Sequence, residues 1–296
     1  FEHSLGAYKL VCDIIDSMKK RKNRGSNYDS YGFRDAELKV GALLHDIGHY
    51  SLSHIGEHCF NDFINSLPVD VGFDEIKKVK IPKHNERAAS MILGRDVFLN
   101  LKKYYDLDIT LTLPFWKLFS IINKNADNKN EKIRILKIAK LINPEKYSKI
   151  GVGNLINGPL DVDKLDYILR ESYFTGTPFG VIDLHRIIKG YMIGNIIKEG
   201  KLIKNQLVFN KRMLPSILQM YMGRQFNYLT ISYHKTVRIA ETMLKSIVDV
   251  VMKEFFNKFQ NRDDIVEILK KIFFHFKLME DRDFFHFLEI ICQLSP

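Results

Sequence analysis

Residues 45 to 54, His-Asp-Ile-Gly-His-Tyr-Ser-Leu-Ser-His, put three imidazoles and a carboxylate into ten positions directly behind Leu43-Leu44. A second concentration of acid follows at Asp161, Asp163 and Asp166, and His3 stands near the start of the chain. Imidazole together with carboxylate suits Fe, Mn, Zn, Ni or Mg, the choice depending on geometry and supply. Taken singly, each histidine reads as readily as a core or surface group. The apolar run before His45-Asp46 changes the balance, because it implies burial and a buried carboxylate needs a partner or a cation.

Such groups must be delivered by separate elements, so a shared site forms only on tertiary folding. Leu5, Tyr8, Cys12, Ile15 and Met18 recur at three- and four-residue intervals, which predicts an amphipathic helix carrying His3. The spacing predicts another helix over 35–44, ending at the His-Asp pair. The basic run from Lys19 to Gly25 and the polar residues after it read as an exposed loop. Residues 60–79 are mixed, and a helix is expected from near His84 after Pro82. Residues 99–113 are ambiguous, helical spacing resumes from Phe115, and 123–130 reads as a hydrophilic turn. A glycine-rich stretch at 151–159 leads to Asp161 at the head of a helix stopped by Thr175-Gly176-Thr177-Pro178. Two β-prone runs over 192–209 flank Glu199-Gly200, a hairpin signal, and helical spacing returns after Pro215 and runs to the end.

The fold class expected is mainly α, with a small β-hairpin insertion and additional C-terminal helices. Residues 1–190 form the expected core, and 191–296 a hairpin plus helices packed on it in the same domain or lobe. At 46% apolar and 27% charged, the 296-residue chain can bury a sizeable core. Cys12, Cys59 and Cys292 are far apart and make no CxxC pair, which argues against a disulfide scaffold and a cysteine-based zinc site and favours a reducing compartment. No apolar span long enough for a bilayer and no signal-peptide pattern is found, so no membrane association is expected. The first residue is Phe1 rather than Met, so upstream sequence is expected. A net charge of +10 suits polyanions such as nucleotides or nucleic acid, but the basic residues are dispersed and fit a Lys- and Asn-rich composition equally well.

The segments FEHSLG at 1–6, LLHDIGHYSLSH at 43–54 and LDVDKLDYILRESYFTG at 160–176 have the order and wording of HD-domain phosphohydrolases. The chain resembles most the deoxynucleoside triphosphate triphosphohydrolases (dNTPases), including the vertebrate branch with a sterile-alpha-motif domain ahead of the HD domain. The likeness runs from Phe1 to about Arg238. It implies an HD-domain helical bundle and His3, His45, Asp46 and Asp163 as ligands of one divalent transition metal (Mn, Fe, Zn or Ni). Asp163 is preferred over Asp161 because the family ligand directly precedes a lysine, here Lys164. Asp161 then reads as a helix N-cap, and Asp166 as structural.

The resemblance also implies that His49, His54 and His84 face a triphosphate, with His54 and Glu57 as an acid–base couple. Lys164 and Arg224 match triphosphate cations, and Tyr167 and Glu171 match residues holding the sugar near its 3′ carbon. Glu57 and Glu171 stand where the vertebrate enzyme has Asp. Ser232 stands where an aromatic is usual beside Tyr233-His234-Lys235, and Tyr233 is a candidate base contact. The activity implied is hydrolysis of a dNTP to deoxynucleoside and inorganic triphosphate, with Mg²⁺ accompanying the triphosphate. Implied too are a homo-oligomer (dimer or tetramer), a nucleotide effector, and a cytoplasmic setting with the nucleus as the alternative. Competing readings are another HD activity (phosphodiesterase, nucleotidase or (p)ppGpp hydrolase), with one of the later histidines on a second ion, and a non-catalytic protein that binds nucleotide or nucleic acid.

Overall fold

The computed structural model describes residues 1–22, 35–66, 83–93, 129–143 and 151–258, together with Asp281, Phe285, His286 and Glu289. The helix carrying His3 continues through Lys22, into the basic run expected as loop; the rest of that loop, Pro82, residues 99–128, Cys292 and the helical spacing past 258 lie outside the described residues. In chain order the elements are α1 (Glu2–Lys22), α2 (Asp35–Leu44), α3 (Ser53–Ser66), α4 (His84–Ile92), α5 (Lys129–Ile142), α6 (Val162–Thr175), α7 (Leu184–Gly190), β1 (Tyr191–Lys198), β2 (Lys201–Phe209), α8 (Leu214–Asn227) and α9 (Lys235–Lys258). The described residues are therefore mainly helical, with one two-stranded antiparallel hairpin. No helix among them is long and apolar enough to cross a membrane.

The chain divides into two compact units that interleave in sequence: Phe1–Gly48 with Asn85–Ser232, and His49–His84 with Tyr233–Pro296. The core of the first unit is built around α1. Leu10, Val11, Ile14, Ile15 and Met18 are buried at helical spacing and pack with Leu38 and Ala42 of α2 and Leu165 and Ile168 of α6. At about 1.5–3 kcal/mol for each large apolar side chain fully buried, this face outweighs the marginal stability of an isolated helix. The buried stripe is rotated from the one expected: Leu5 is 44% and Tyr8 36% exposed, while Ala7 and Leu10 point inward. The two stripes share Ile15 and Met18, so periodicity alone does not separate them.

Asp161 caps α6 through a bond from the Lys164 backbone N–H to its Oδ1 (2.8 Å), and Gly176 ends the helix at φ 68°. The hairpin turns at Glu199-Gly200, both with positive φ (52° and 74°), the geometry that a two-residue connection requires. Its first residue, Tyr191, is fully buried and donates its hydroxyl to the Leu160 carbonyl at 3.0 Å, which ties the hairpin to the entry of α6. Glycine-rich 151–155 forms a 3-10 turn. A buried carboxylate, Glu37 of α2, faces Arg134 (3.7 Å) and Lys137 (3.9 Å) of α5.

In the second unit α3 packs on α9, with a Lys245–Asp62 ion pair between them. The helix from Ser53 differs from the mixed character expected past residue 60. Leu52, directly before it, and Ser53, its first residue, both have positive φ (59° and 53°), a backbone change that polar, histidine-rich sequence does not announce. A five-residue π turn at Tyr228–Ser232 separates α8 from α9, where continuous helical spacing was expected.

Candidate metal centre

Three elements of the first unit bring the expected ligands together. His3 lies in the first turn of α1, His45 and Asp46 directly follow α2, and Asp163 lies in the first turn of α6. One ligand atom each of His3, His45 and Asp163 falls within a sphere of mutual separations no greater than 4.8 Å. Asp46 faces both imidazoles, with Oδ2 at 3.5 Å from His3 Nε2 and Oδ1 at 3.3 Å from His45 Nε2.

The end of α2 sets the orientation of His45. Its Nδ1 is 2.7 Å from the Ala42 carbonyl, one of the last acceptors of that helix, which lack intrahelical donors. A carbonyl only accepts, so Nδ1 carries the proton and a neutral ring keeps its lone pair on Nε2. That Nε2 is buried and makes no hydrogen bond among the described residues. Its surroundings are Asp46 and Asp163 (3.9 Å) carboxylate oxygens. A buried imidazole lone pair aimed at two carboxylates is the donor set of a divalent transition metal, and the residues present fit such an ion.

His3 is oriented from the other side. Its Nδ1 lies 2.7 Å from Asp166 Oδ2, and its Nε2 lies 3.1 Å from Asp163 Oδ1. Asp166 is 7% exposed and is held in turn by Arg170, one turn further along α6, at 2.8 Å (Nε to Oδ2) and 3.1 Å (Nη2 to Oδ1). Arg170 also donates to the Glu2 carbonyl at 3.0 Å, so the chain of bonds returns to α1. A carboxylate on the far nitrogen of a ligating histidine fixes its tautomer and raises its basicity. Gly6, one turn past His3, makes room for this: a Cβ there would stand 1.7 Å from Asp166 Oδ1. Asp166, Arg170 and Gly6 were not singled out for this role from sequence. The available signal was the Asp163, Asp166, Arg170 spacing of three and four on one helix face.

The charges are strongly coupled. Hydrogen bonds to Asp163 and Asp166, opposed by burial, push the His3 pKa up to about 10. Burial works to lower His45, but Asp163 and Asp46 outweigh it and its pKa is raised. Burial would raise Asp163, yet the two imidazoles hold it far below the usual carboxylate range. Burial raises the Asp161 pKa, opposed by Lys164.

The second unit holds another group. His49, His54 and His84 offer ligand atoms within 4.8 Å of one another. His49 and His84 are stacked with ring centroids 4.2 Å apart, and His54 meets them edge-on at 5.0 and 4.9 Å. Ser53 Oγ is 3.0 Å from His49 Nδ1. Glu57, expected as the partner of His54, has Oε2 3.8 Å from His84 Nδ1. The three-residue spacing on α3 made the first pairing legible, whereas the second depends on tertiary structure.

The remaining expected residues fall into smaller groups. Lys164 Nζ donates to Asp161 Oδ2 (2.5 Å) and to the Gly158 carbonyl (3.0 Å), so this ammonium is engaged at the head of α6. Tyr167, four residues after Asp163, accepts from Arg224 Nε of α8 at 2.8 Å, and burial raises its phenol pKa. Arg224 also donates to the Tyr228 hydroxyl at 3.3 Å and lies over that ring at 5.0 Å. Glu171 is half-buried one turn after Tyr167. Tyr233, in the second unit, is 60% exposed with the Arg238 guanidinium 6.0 Å from its ring centre.

The chain is 29% identical over 273 residues to an uncharacterized protein of Methanocaldococcus jannaschii, covering 90% of this chain and 43% of the relative. It is 25% identical to an uncharacterized protein of Mycoplasma genitalium (92% and 54% covered) and 23% identical to uncharacterized protein YwfO of Bacillus subtilis (84% and 43%). The chain thus spans about half the length of these relatives. Among solved structures it is similar in fold to a phosphohydrolase of Bacteroides thetaiotaomicron, with a TM-score of 0.53, 23% identity, and 86% of this chain and 47% of that one covered. The family model described as "HD domain" matches residues 1–144, which include His3 and the adjacent His45-Asp46.

Proposed function

We propose that the chain is the catalytic part of a metal-dependent phosphohydrolase that hydrolyses dNTPs to deoxynucleoside and inorganic triphosphate. The observation that carries the reading is the His3, His45, Asp46 and Asp163 cluster, in which a buried His45 Nε2 faces carboxylates and His3 is braced by Asp166. The match of residues 1–144 to the HD-domain family model and the likeness in fold to a phosphohydrolase support the reaction class. The resemblance of 160–176 to the dNTPase motif supports the substrate.

His3, His45, Asp46 and Asp163 would hold one Mn, Fe, Zn or Ni ion. Bound there, such an ion supplies Lewis acidity toward a phosphoryl oxygen and lowers the pKa of a coordinated water. The chain's own groups do the rest. Asp166 and Arg170 keep His3 in one tautomer. Arg224, fixed by Tyr167, supplies fixed positive charge for the triphosphate. Tyr167 and Glu171 hold the sugar, the tyrosine ring excluding a 2′-hydroxyl. His54 gives a proton to the departing 5′ oxygen, with His49, His84, Lys164 and the accompanying Mg²⁺ as further triphosphate contacts. Glu57 supports the imidazoles, and Tyr233 contacts the base. A homo-oligomer and a nucleotide effector belong to the same reading, as does a cytoplasmic setting.

The test is a nucleotide panel incubated with metal-loaded protein and separated by chromatography. Inorganic triphosphate and deoxynucleoside should appear from at least one dNTP, and ribonucleotides should react more slowly. Asp46→Ala and Asp163→Ala should each abolish release. Wild-type rates in both variants would overturn the site, and monophosphate or pyrophosphate as the product would overturn the reaction.

A further inference from the structure

The turn that carries His45 and Asp46 is held by α4. Residues 45–48 follow α2 without continuing it, so their backbone carbonyls are not closed by α-helical bonds. Ile47 packs against a cluster formed by Ala88, Ala89 and Ile92 of α4 with Ala139 and Ile142 of α5. Asp46, directly before it, serves other neighbours, the imidazoles of His3 (3.5 Å) and His45 (3.3 Å). Arg87, half-buried one position before Ala88, donates from Nη1 to the Gly48 carbonyl at 3.0 Å. A donor that carries full charge makes this one of the stronger kinds of hydrogen bond. Helix α4 thus grips the turn twice, by apolar contact at Ile47 and by a charge-assisted bond at Gly48. Gly48 is the last residue of the turn, so releasing its carbonyl lets the turn rewind, and Asp46 moves with it.

We propose that Arg87 is a positioning residue of the metal centre: by holding the Gly48 carbonyl it sets the turn that aims His45 and Asp46. It touches neither the ion nor a ligating atom. Its role rests on the reading of His3, His45, Asp46 and Asp163 as a metal centre and on no particular substrate. Removing the bond leaves the ligands in the chain but loosens their arrangement, and such supporting contacts are worth about 10–100-fold in metal affinity. Arg87 acts through backbone two residues beyond Asp46, which puts its effect at the lower end of that range.

The test titrates manganese into the metal-free whole chain by calorimetry, with urea unfolding of the same samples. The ion followed is the one that Asp46→Ala removes. Arg87→Met keeps an apolar stem without a donor and should weaken that ion by about tenfold. Arg87→Lys keeps one donor for this single bond and should recover most of the loss. Ile92→Val thins the same apolar cluster without touching the bond, so it should lower stability and leave manganese affinity unchanged. Packing alone would make affinity follow stability across the three variants, whereas a positioning bond makes it follow the donor. Wild-type affinity in Arg87→Met, or equal losses in Arg87→Met, Arg87→Lys and Ile92→Val, overturns the role of Arg87 and leaves the metal centre standing. A wild-type chain that binds no ion sensitive to Asp46→Ala overturns both.

Discussion

Substituting Gly6 by Ala tests whether Asp166 positions His3, without touching a proposed ligand. An added Cβ would stand 1.7 Å from Asp166 Oδ1, 2.5 Å from its Cγ and 2.8 Å from Arg170 Nη2. The Arg170 tip can move, but Asp166 is 7% exposed and rises from α6, which packs against α1. Three effects oppose one another. Gly to Ala inside a helix gains about 1 kcal/mol of propensity. Overpacking a filled site costs about 1–3 kcal/mol. Displacing a buried carboxylate from charged donors costs about 1.5–3 kcal/mol more. The costs win, and Gly6→Ala should destabilise the metal-free protein by about 1.5–5 kcal/mol. Metal affinity should fall by about 10–100-fold, the usual effect of losing the carboxylate behind a ligating histidine.

The decisive assay is a double-mutant cycle on metal affinity, measured by calorimetry, with urea unfolding in parallel. In an Asp166→Ala background the clashing oxygen is gone, so Gly6→Ala should leave metal affinity unchanged within about 0.5 kcal/mol. Its effect on stability should reverse sign, because only the propensity gain of about 1 kcal/mol remains. If Gly6→Ala lowers affinity equally in both backgrounds, or not at all in the first, Asp166 is not what positions His3.

Three further outcomes follow from the same geometry. His3 has a folded pKa of about 10 against 6.5 for an ordinary imidazole, so its contribution to the stability of the metal-free protein is complete below pH 6.5 and fades as pH rises toward 10. Asp163, held low, contributes above pH 3.8 and is lost on acidification; thermal melts across pH should show both limbs, and Asp163→Asn should flatten them. Metal binding between pH 6.5 and 10 should release about one proton, read from calorimetry in buffers of different ionisation enthalpy, because the ion displaces the His3 proton. Gly223→Ala would put a Cβ 2.4 Å from the backbone carbonyl of Phe179, so α8 must shift. Overpacking predicts a loss of about 1–3 kcal/mol in urea unfolding, with a raised KM as Arg224 leaves Tyr167.

Much of the helical order could be read from punctuation. Asp161 and Gly176 bracket α6 because a cap needs a short acceptor and a left-handed stop needs glycine. Glu199-Gly200 marks the hairpin for the same steric reason. The start of α3 was hidden because two non-glycine residues, Leu52 and Ser53, take positive φ there. The interleaving of the two units was equally hidden, since no linker or change in composition accompanies the switch at Gly48 or Ser232. In the candidate site, the sequence picked out residues that cluster, but not the partners that several of them take. Lys164 was expected toward phosphate, yet the structure sets its ammonium on Asp161, the residue three places before it. Asp166 read as structural because nothing in its neighbourhood names His3, which lies 163 residues away.

The raised His3 and the depressed Asp163 are two faces of one electrostatic fact. Asp163 sits between two imidazoles, with Asp46 opposite, while the third carboxylate, Asp166, already has Arg170. The metal-free cluster therefore draws its positive charge from protonated His3. A divalent cation competes with that proton for the same carboxylates, and His3 can ligate only after giving it up. Asp166 acts on both sides of this exchange. Its bond to Nδ1 favours the doubly protonated ring, which opposes the ion, and it makes the remaining ring more basic toward the ion once Nε2 is bare. The balance shifts with pH. Removing Asp166 should therefore weaken metal binding most at high pH, where His3 has already lost its proton and only the ligand-strengthening effect remains. Near pH 6.5 the same substitution should cost less affinity, because it also eases deprotonation. A calorimetric pH series on Asp166→Ala that shows equal losses at both ends would break this account and leave Asp166 a packing residue.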